Sequence, residues 1–482
     1  MTKSANELTV VEAAHALRTG ELTVRMLWDA CASAAKEKNP ELNAYLELFE
    51  ADGSAIDAAQ MRIDTEREGG AAAPLLCGIP LAIKDNILIE GKVASAASKM
   101  LEHYRATYDA TVITKLRTQN ALFLGRTNMD EFALGGSTEH SAYGVTKNPH
   151  DTARVAGGTS GGSAAAVAAH LCLAALGTDT GGSVRNPASY CGVVGVKPTY
   201  GGVSRSGVIA AASSFDQVGA LAKSVEDARI VLDAITGPDP LDSTTLLQPR
   251  LQKTAPPKRI GVLRDALSHE GIAPEVKRVF ENELQALAQV GYEIVDVALP
   301  SAAPALAAYY IINFAEVSTN MARFDGIRYG LAKRADTLLD DYLLSRSEGF
   351  GPETQRRILL GTFVLSSGYI DAYYHKAVIA RSLLAQDFAR AFETVDAIAT
   401  PTMPAPAFVI GAKADPLSMY LEDLFTVTAN LAGIPALSVP MGTVSYDGAQ
   451  LPVGLQLLAP HGAEKTLFAI GASVEKLTHA AP

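Results

Sequence analysis

Gly157-Gly-Thr-Ser-Gly-Gly-Ser163, then an Ala-rich stretch, then Gly177-Thr-Asp-Thr-Gly-Gly-Ser-Val-Arg185 form the densest signal in the chain. Two hydroxyl-rich glycine loops flank a unit that reads as helix and then strand. Glycine allows positive φ and lets backbone N–H groups come close to a ligand. Successive N–H groups of this kind make an anion-binding concavity. In a hydrolase that concavity stabilises the oxyanion of acyl transfer, worth about 3 kcal/mol per donor. Neither loop carries the lysine of GxxxxGK[ST], so a phosphate loop is absent, and no GxGxxG follows a strand. Gly158-Thr-Ser-Gly-Gly162 matches GxSxG in form. The residues before it, Asn148-Pro-His-Asp-Thr-Ala-Arg154, are not the apolar strand that a nucleophile elbow requires.

Outward from these loops, short β-like runs (Ile79–Ile83, Ala121–Gly125, Cys172–Thr178) alternate with helical pieces over 78–220. Such alternation favours an α/β layered fold. Residues 1–75 read as a helical layer. Thr9 and Glu12 have capping-box spacing, Gly20 closes the first helix, and a second, about 23–38, ends at Asn39-Pro40. A polar helix near 52–67 follows, and Ser224 to Ile235 is another capped helix. Residues 238–258 read as a surface connection. Beyond it come a β–α–β pattern (Arg259–Leu263, a helix from Pro274, Tyr292–Val297) and long helices over 304–323 and 352–394. The strand Ala397–Pro401, a helix at 416–432, strands at 435–440 and 452–458 and a final helix complete the chain. One large α/β domain with peripheral helices is the simplest organisation.

Composition narrows the function. The 482 residues are 48% hydrophobic and 19% charged, which excludes a disordered chain or a coiled coil. The formal net charge of −11 makes a broad nucleic-acid surface a poor fit, since phosphate neutralisation needs clustered Lys and Arg. Cys31, Cys77, Cys172 and Cys191 form no CxxC pair, which argues against structural zinc and a disulfide framework. No apolar run reaches the roughly 20 residues that span a bilayer. The N-terminus lacks the apolar core of a signal peptide. The expected compartment is a reducing cytoplasm.

The second chemical element is Gly78-Ile-Pro-Leu-Ala-Ile-Lys-Asp-Asn86, an apolar strand running into Lys84. A lysine at the end of a buried strand is usually snorkelling or ion-paired, and Asp85 is the adjacent partner.

Lys84 and the two glycine loops together resemble the amidase signature family. The match continues through Gly125-Arg-Thr-Asn-Met-Asp-Glu-Phe-Ala-Leu134, Lys197-Pro-Thr-Tyr-Gly201 and Ser213-Ser-Phe-Asp-Gln217. Later blocks, among them Arg323-Phe-Asp-Gly-Ile-Arg-Tyr-Gly330, Met419-Tyr-Leu-Glu-Asp423 and Asn430-Leu-Ala-Gly-Ile-Pro435, are similar to the branch of A subunits in glutamine-dependent Glu-tRNA(Gln)/Asp-tRNA(Asn) amidotransferases.

The resemblance implies a single domain over 1–482 with a mixed central sheet flanked by helices. It implies Ser–Ser–Lys catalysis without histidine, with Ser183 as nucleophile toward the side-chain amide of glutamine. The family's bridging serine, held by a cis peptide, lies 24 positions upstream, where this chain has Thr159. Thr159 is the expected bridge, with Ser160 as the second candidate. Lys84 is the implied base and must be uncharged. A free lysine has a pKa of about 10.4, so half-neutralising it at pH 7 costs about 5 kcal/mol. Burial beside hydroxyls supplies that; an ion pair opposes it. Asp85 is therefore expected to point away from Lys84.

Backbone N–H groups of Thr180, Gly181 and Gly182 are the implied oxyanion donors, with Asp179 and Arg185 holding the loop. By the same resemblance Asp423 and one of Arg356 and Arg357 hold the α-groups of glutamine, with Met129 and Tyr309 in the pocket wall. A zwitterion needs one acid and one base, which agrees. The implied partners are B and C subunits that carry ATP, Mg and most of the tRNA, with no metal or cofactor in this chain and no membrane. A free-standing amidase of the same family and a catalytically silent scaffold are the alternatives.

Overall fold

The structure is a computed structural model that describes residues 3–247, 256–413 and 415–480. The 238–258 connection lies partly outside the described residues. One eleven-stranded sheet runs through the chain. From one edge its strands are Tyr45–Leu48, Leu122–Thr127, Pro80–Lys84, Ala174–Asp179, Gln217–Ala222, Val194–Lys197, Ala436–Tyr446, Ala449–Leu458, Ala397–Pro401, Arg259–Val262 and Glu293–Asp296. Pro80–Lys84 is parallel to both neighbours, while Ala174–Asp179 is antiparallel to Gln217–Ala222. The sheet is mixed, as expected. Strands near its centre are buried along their whole length, which is why they read as continuous apolar runs rather than alternating ones.

Helices cover both faces. On the long Ala436–Tyr446 strand, Ser438 faces Ser189 of the Arg185–Cys191 helix, and Leu437 faces Gly471 of the Glu464–Ala480 helix. Consecutive strand residues point to opposite faces, so this one strand separates the two layers. The Gly161–Ala168 helix packs beside Arg185–Cys191. A second apolar cluster joins Ala305–Met321 to Tyr374–Ala391.

Local signals are met in detail at several caps. Thr9 Oγ1 accepts from Glu12 N–H while the Glu12 carboxylate accepts from Thr9 N–H, and Gly20 takes φ +79° at the helix end. Ser224 caps Val225–Ile235 through Asp227 N–H.

Four expectations need correction. The second helix runs through Pro40 to Leu42, because proline in the last turn forfeits a single hydrogen bond and Asn43 closes the helix in the left-handed region. The N-terminal layer contributes an edge strand, Tyr45–Leu48, held by Asn39, whose side chain bonds both N–H and C=O of Tyr45. The 352–394 segment is two helices, Pro352–Val364 and Tyr374–Ala391, broken where Gly368 takes φ +86°. The 416–432 segment is broken at Phe425–Thr426. There Gln456 donates to the Phe425 carbonyl and Arg185 to the Thr426 carbonyl, which also accepts Ala429 N–H at 3.3 Å as the next helix opens.

Leu81, fully buried on the strand that ends in Lys84, tests this account of the sheet. Leu81→Ala is expected to cost about 2–5 kcal/mol, read as a lower urea midpoint at unchanged slope. An unshifted midpoint would contradict the burial.

Candidate active site

Lys84 leaves the end of its strand fully buried. Its Nζ lies 2.7 Å from Thr159 Oγ1, 2.9 Å from Ser160 Oγ, 2.9 Å from Thr178 Oγ1 and 3.3 Å from the Thr178 carbonyl. Every neighbour is a hydroxyl or a carbonyl, and none is a carboxylate. Burial pushes the Lys84 ammonium down to about 7 against the opposing pull of Asp130, Asp179 and Asp216.

Asp85 is turned to the other face of the strand, as period-two geometry requires. Its carboxylate accepts from Arg126 Nη1 at 2.9 Å, from Ala97 N–H at 2.9 Å and from Ser95. The adjacent acid therefore has its own counter-ion.

Thr159 follows a cis Gly158–Thr159 peptide. Ser160 N–H donates to the Ser183 carbonyl at 3.1 Å, which joins the first glycine loop to the second. Ser183 is nearly buried, and among the described residues none hydrogen-bonds its hydroxyl.

The second loop is held by a buried ion pair. Arg185 Nε and Nη2 donate to the two Asp179 oxygens at 2.9 and 2.8 Å, and both side chains are fully buried. Burial works against the Asp179 carboxylate, but Arg185, Lys197 and Asn430 together hold it well below the usual carboxylate range. Arg185 also donates to Gln456, Asn430 and the Thr426 carbonyl. The pair thus ties the loop to the C-terminal hairpin and to the 426–430 segment.

Gly182 N–H donates to Asp179 Oδ1 at 3.0 Å, so this expected oxyanion donor is already engaged in the structure. The N–H groups of Thr180 and Gly181 have no such partner among the described residues. Gly181 is a site of close approach, since a β-carbon there would stand 2.3 Å from the Tyr309 hydroxyl.

The structure separates the two arginines that the sequence left as alternatives. Arg356 is half-exposed and reaches back to the buried Glu353. Arg357 turns inward, where its Nε donates to Glu353 Oε1 at 2.8 Å. Asp423 accepts the Tyr310 hydroxyl at 2.6 Å. Burial pushes its carboxyl up to about 7, against the pull of Tyr310 and Arg357. Tyr309 stands against Gly181, whereas Met129 is fully buried in an apolar cluster with Phe132, Met321 and Phe350. A cavity of about 340 Å³ includes Glu131, Glu139, His140 and Glu353 in its lining, but none of Lys84, Thr159 or Ser183.

Sequence reasoning did not single out Thr178, Asn86, Tyr310, Glu353 or Tyr420. Asn86 Nδ2 donates to Thr178 Oγ1 from the turn that follows the Lys84 strand, and its closeness to Lys84 in sequence was the available signal. Glu353 precedes Arg357 by one helical turn, a spacing visible in the sequence. Nothing in the sequence pairs Tyr310 with Tyr420, whose rings stack at 4.1 Å. Among the described residues no cluster of His, Cys, Asp and Glu could hold a metal ion, and no helix is long and apolar enough to cross a membrane. All four cysteines are buried thiols.

The chain and its fold have counterparts among known proteins. The chain is 51% identical over 478 residues to the A subunit of the Glutamyl-tRNA(Gln) amidotransferase of Acidobacterium capsulatum, covering 97% of this chain and 99% of that one. It is 49% identical over 484 residues to the protein of the same name in Desulfosudis oleivorans, covering 98% of each. The crystal structure of the corresponding A subunit from Thermotoga maritima superposes with a TM-score of 0.80 at 38% identity, over 99% of this chain and 96% of the other. A peptide amidase from Stenotrophomonas maltophilia superposes equally well, at 0.80 and 30% identity, over 99% of this chain and 98% of that one. A dry lysine facing hydroxyls between two glycine loops thus sits in a shared architecture, and with residues 27–468 matching the amidase model, this chain belongs to the amidase family.

Proposed function

We propose that this chain is the glutamine-hydrolysing subunit of a tRNA-dependent amidotransferase, working in the cytoplasm. It releases ammonia from glutamine for a B subunit that, with a C subunit, carries ATP, Mg²⁺ and the tRNA, and that converts Glu-tRNA(Gln) or Asp-tRNA(Asn) to the amide. The observation that carries the reading is Lys84: buried, near neutrality and hydrogen-bonded to Thr159 without a carboxylate partner.

In this mechanism neutral Lys84 accepts the Thr159 hydroxyl proton as Thr159 accepts that of Ser183. Ser183 Oγ attacks the amide carbon, and N–H groups of Thr180 and Gly181 receive the oxyanion. Gly182 joins them only if Asp179 releases its N–H. The proton returns through Thr159 to the leaving nitrogen, ammonia departs, and the acyl-enzyme remains on Ser183. Water then attacks the ester by the same relay in reverse order, giving glutamate and free Ser183. Thr159 performs the bridge with its hydroxyl. Ser160 orients the amine, because its own hydroxyl is spent on the Thr178 carbonyl at 3.2 Å. Asp423 and Arg357, not Arg356, hold the α-ammonium and α-carboxylate, and Tyr309 lines the wall next to Gly181.

Ser183→Ala is expected to abolish the acyl-enzyme, detected by mass spectrometry of a trapped intermediate; an adduct on any other residue contradicts the assignment. Thr159→Ser should keep activity within a few-fold, whereas Thr159→Val, which removes only the hydroxyl, should lower kcat by about 10²-fold or more. Equal activity of the two variants would transfer the bridge to Ser160. Below a pKa of about 7 Lys84 is an ammonium with no lone pair, so kcat/KM for glutamine should rise with pH through about 7. A profile flat from pH 5 to 9 would remove Lys84 as base.

A further inference from the structure

Arg357 has five N–H groups, and two are used by the described residues. Nε donates to Glu353 Oε1, and Nη1 donates to Asn313 Oδ1 at 3.4 Å. The guanidinium lies 5.7 Å from the Tyr310 ring centre and 5.6 Å from that of Tyr420. These contacts leave the guanidinium little freedom. The stacked pair of rings lies beside it, and Glu353 occupies the Nε side. What remains open is the Nη1–Nη2 edge, whose two forward N–H groups have the fork geometry that takes a carboxylate through two parallel bonds.

Glu353 is itself fixed. It sits one helical turn before Arg357, is buried, and accepts the Tyr420 hydroxyl at 3.0 Å on the same oxygen that receives Arg357 Nε. Arg356 holds its other oxygen. Tyr420 stacks on Tyr310, and Tyr310 donates to Asp423. One aromatic pair therefore supports both charged groups of the pocket, the base through Glu353 and the acid through Tyr310. Without Glu353, Arg357 could rotate its Nε–Nη2 edge toward an incoming carboxylate, and nothing would hold that edge at the distance set by Asp423.

We infer that Glu353, supported by Tyr420, is a positioning residue that locks Arg357 with its Nη1–Nη2 edge toward the substrate, and so selects amides bearing an α-carboxylate over simple amides. The inference rests on the glutaminase reading above. A carboxylate placed this close to the substrate's own is unfavourable in charge alone. Its presence is explained by orientation rather than attraction.

The test compares glutamine with butyramide, which keeps the reacting amide and lacks both α-groups, using the chain assembled with its partner subunits. Glu353→Gln removes the charged acceptor, and a lost hydrogen bond between charged groups corresponds to a glutamine KM higher by roughly 10–100-fold. The loss should fall on KM rather than kcat, with the butyramide kcat/KM reduced at least about fivefold less than that of glutamine. Tyr420→Phe, which removes one hydroxyl, should move KM the same way by a smaller factor. If Glu353→Gln does not fold, Tyr420→Phe decides alone. An unchanged or lowered glutamine KM, or equal losses on the two amides, overturns the inference. A parent complex that hydrolyses butyramide but not glutamine overturns the glutaminase reading, and the inference with it.

Discussion

An ammonium group withdrawn from water must either gain a counter-ion or give up its proton, and at Lys84 the counter-ion is withheld. Three carboxylates lie near enough to be felt, yet each is committed elsewhere. Asp130 accepts the N–H groups of Thr138 and His140, Asp179 accepts Arg185, and Asp216 accepts the Thr180 hydroxyl and two backbone N–H groups. Asp85 faces the other side of the strand and pairs with Arg126. What Lys84 meets directly is three hydroxyls and a carbonyl. A charged acid in contact would restore the ammonium and end its use as a base. Lys197 provides the contrast. Burial brings it to about 7 as well, but its one hydrogen bond among the described residues goes to the Pro198 carbonyl, so it has no hydroxyl to deprotonate. A lowered pKa makes a lysine available; only geometry makes it a base.

The Asp179–Arg185 pair gives the second glycine loop its shape. A buried ion pair recovers its desolvation cost only when the remaining donors and acceptors are satisfied. Here Arg185 reaches Asn430, Gln456 and the Thr426 carbonyl, and Asp179 also receives N–H groups from Gly182 and Val184. The same network reaches the junction at Phe425–Thr426. The loop carrying Ser183 and the segment carrying Asp423 are therefore positioned by one network, although some 240 residues separate them in sequence.

The Pro80–Lys84 strand, the two loops and their neighbours form the sheet-borne half of the site. The other half, Tyr309, Tyr310, Glu353, Arg357, Tyr420 and Asp423, comes from helices and short turns packed over it. On the reading proposed above, chemistry on rigid strands with recognition on overlying helices would let one hydrolytic core serve different amides, because recognition residues could change without moving the base or the nucleophile.

Local interactions were legible before folding was known. The capping box at Thr9, the cap at Ser224, the apolar runs of the central strands and the glycine loops all depend on neighbours a few residues away, and the strand ending at Lys84 falls within one residue of its expected limits. The break at 365–373 carried a local signal in Gly368, whereas the junction at Phe425–Thr426 is contacted by Arg185 and Gln456 from distant parts of the chain, which no local pattern shows. The choice between Arg356 and Arg357 could not be read either: adjacent residues on a helix differ by about 100° in direction, and only packing says which direction is inward. Sequence by itself determined most of the elements and placed the hydroxyl-rich loops and the lysine among them. Tertiary structure alone decided that this lysine has no acid in contact, that Gly182 N–H is engaged by Asp179, and that Tyr420 reaches the Glu353 oxygen that holds Arg357 Nε, since each depends on which groups distant segments bring within hydrogen-bonding reach of one another and which they turn away.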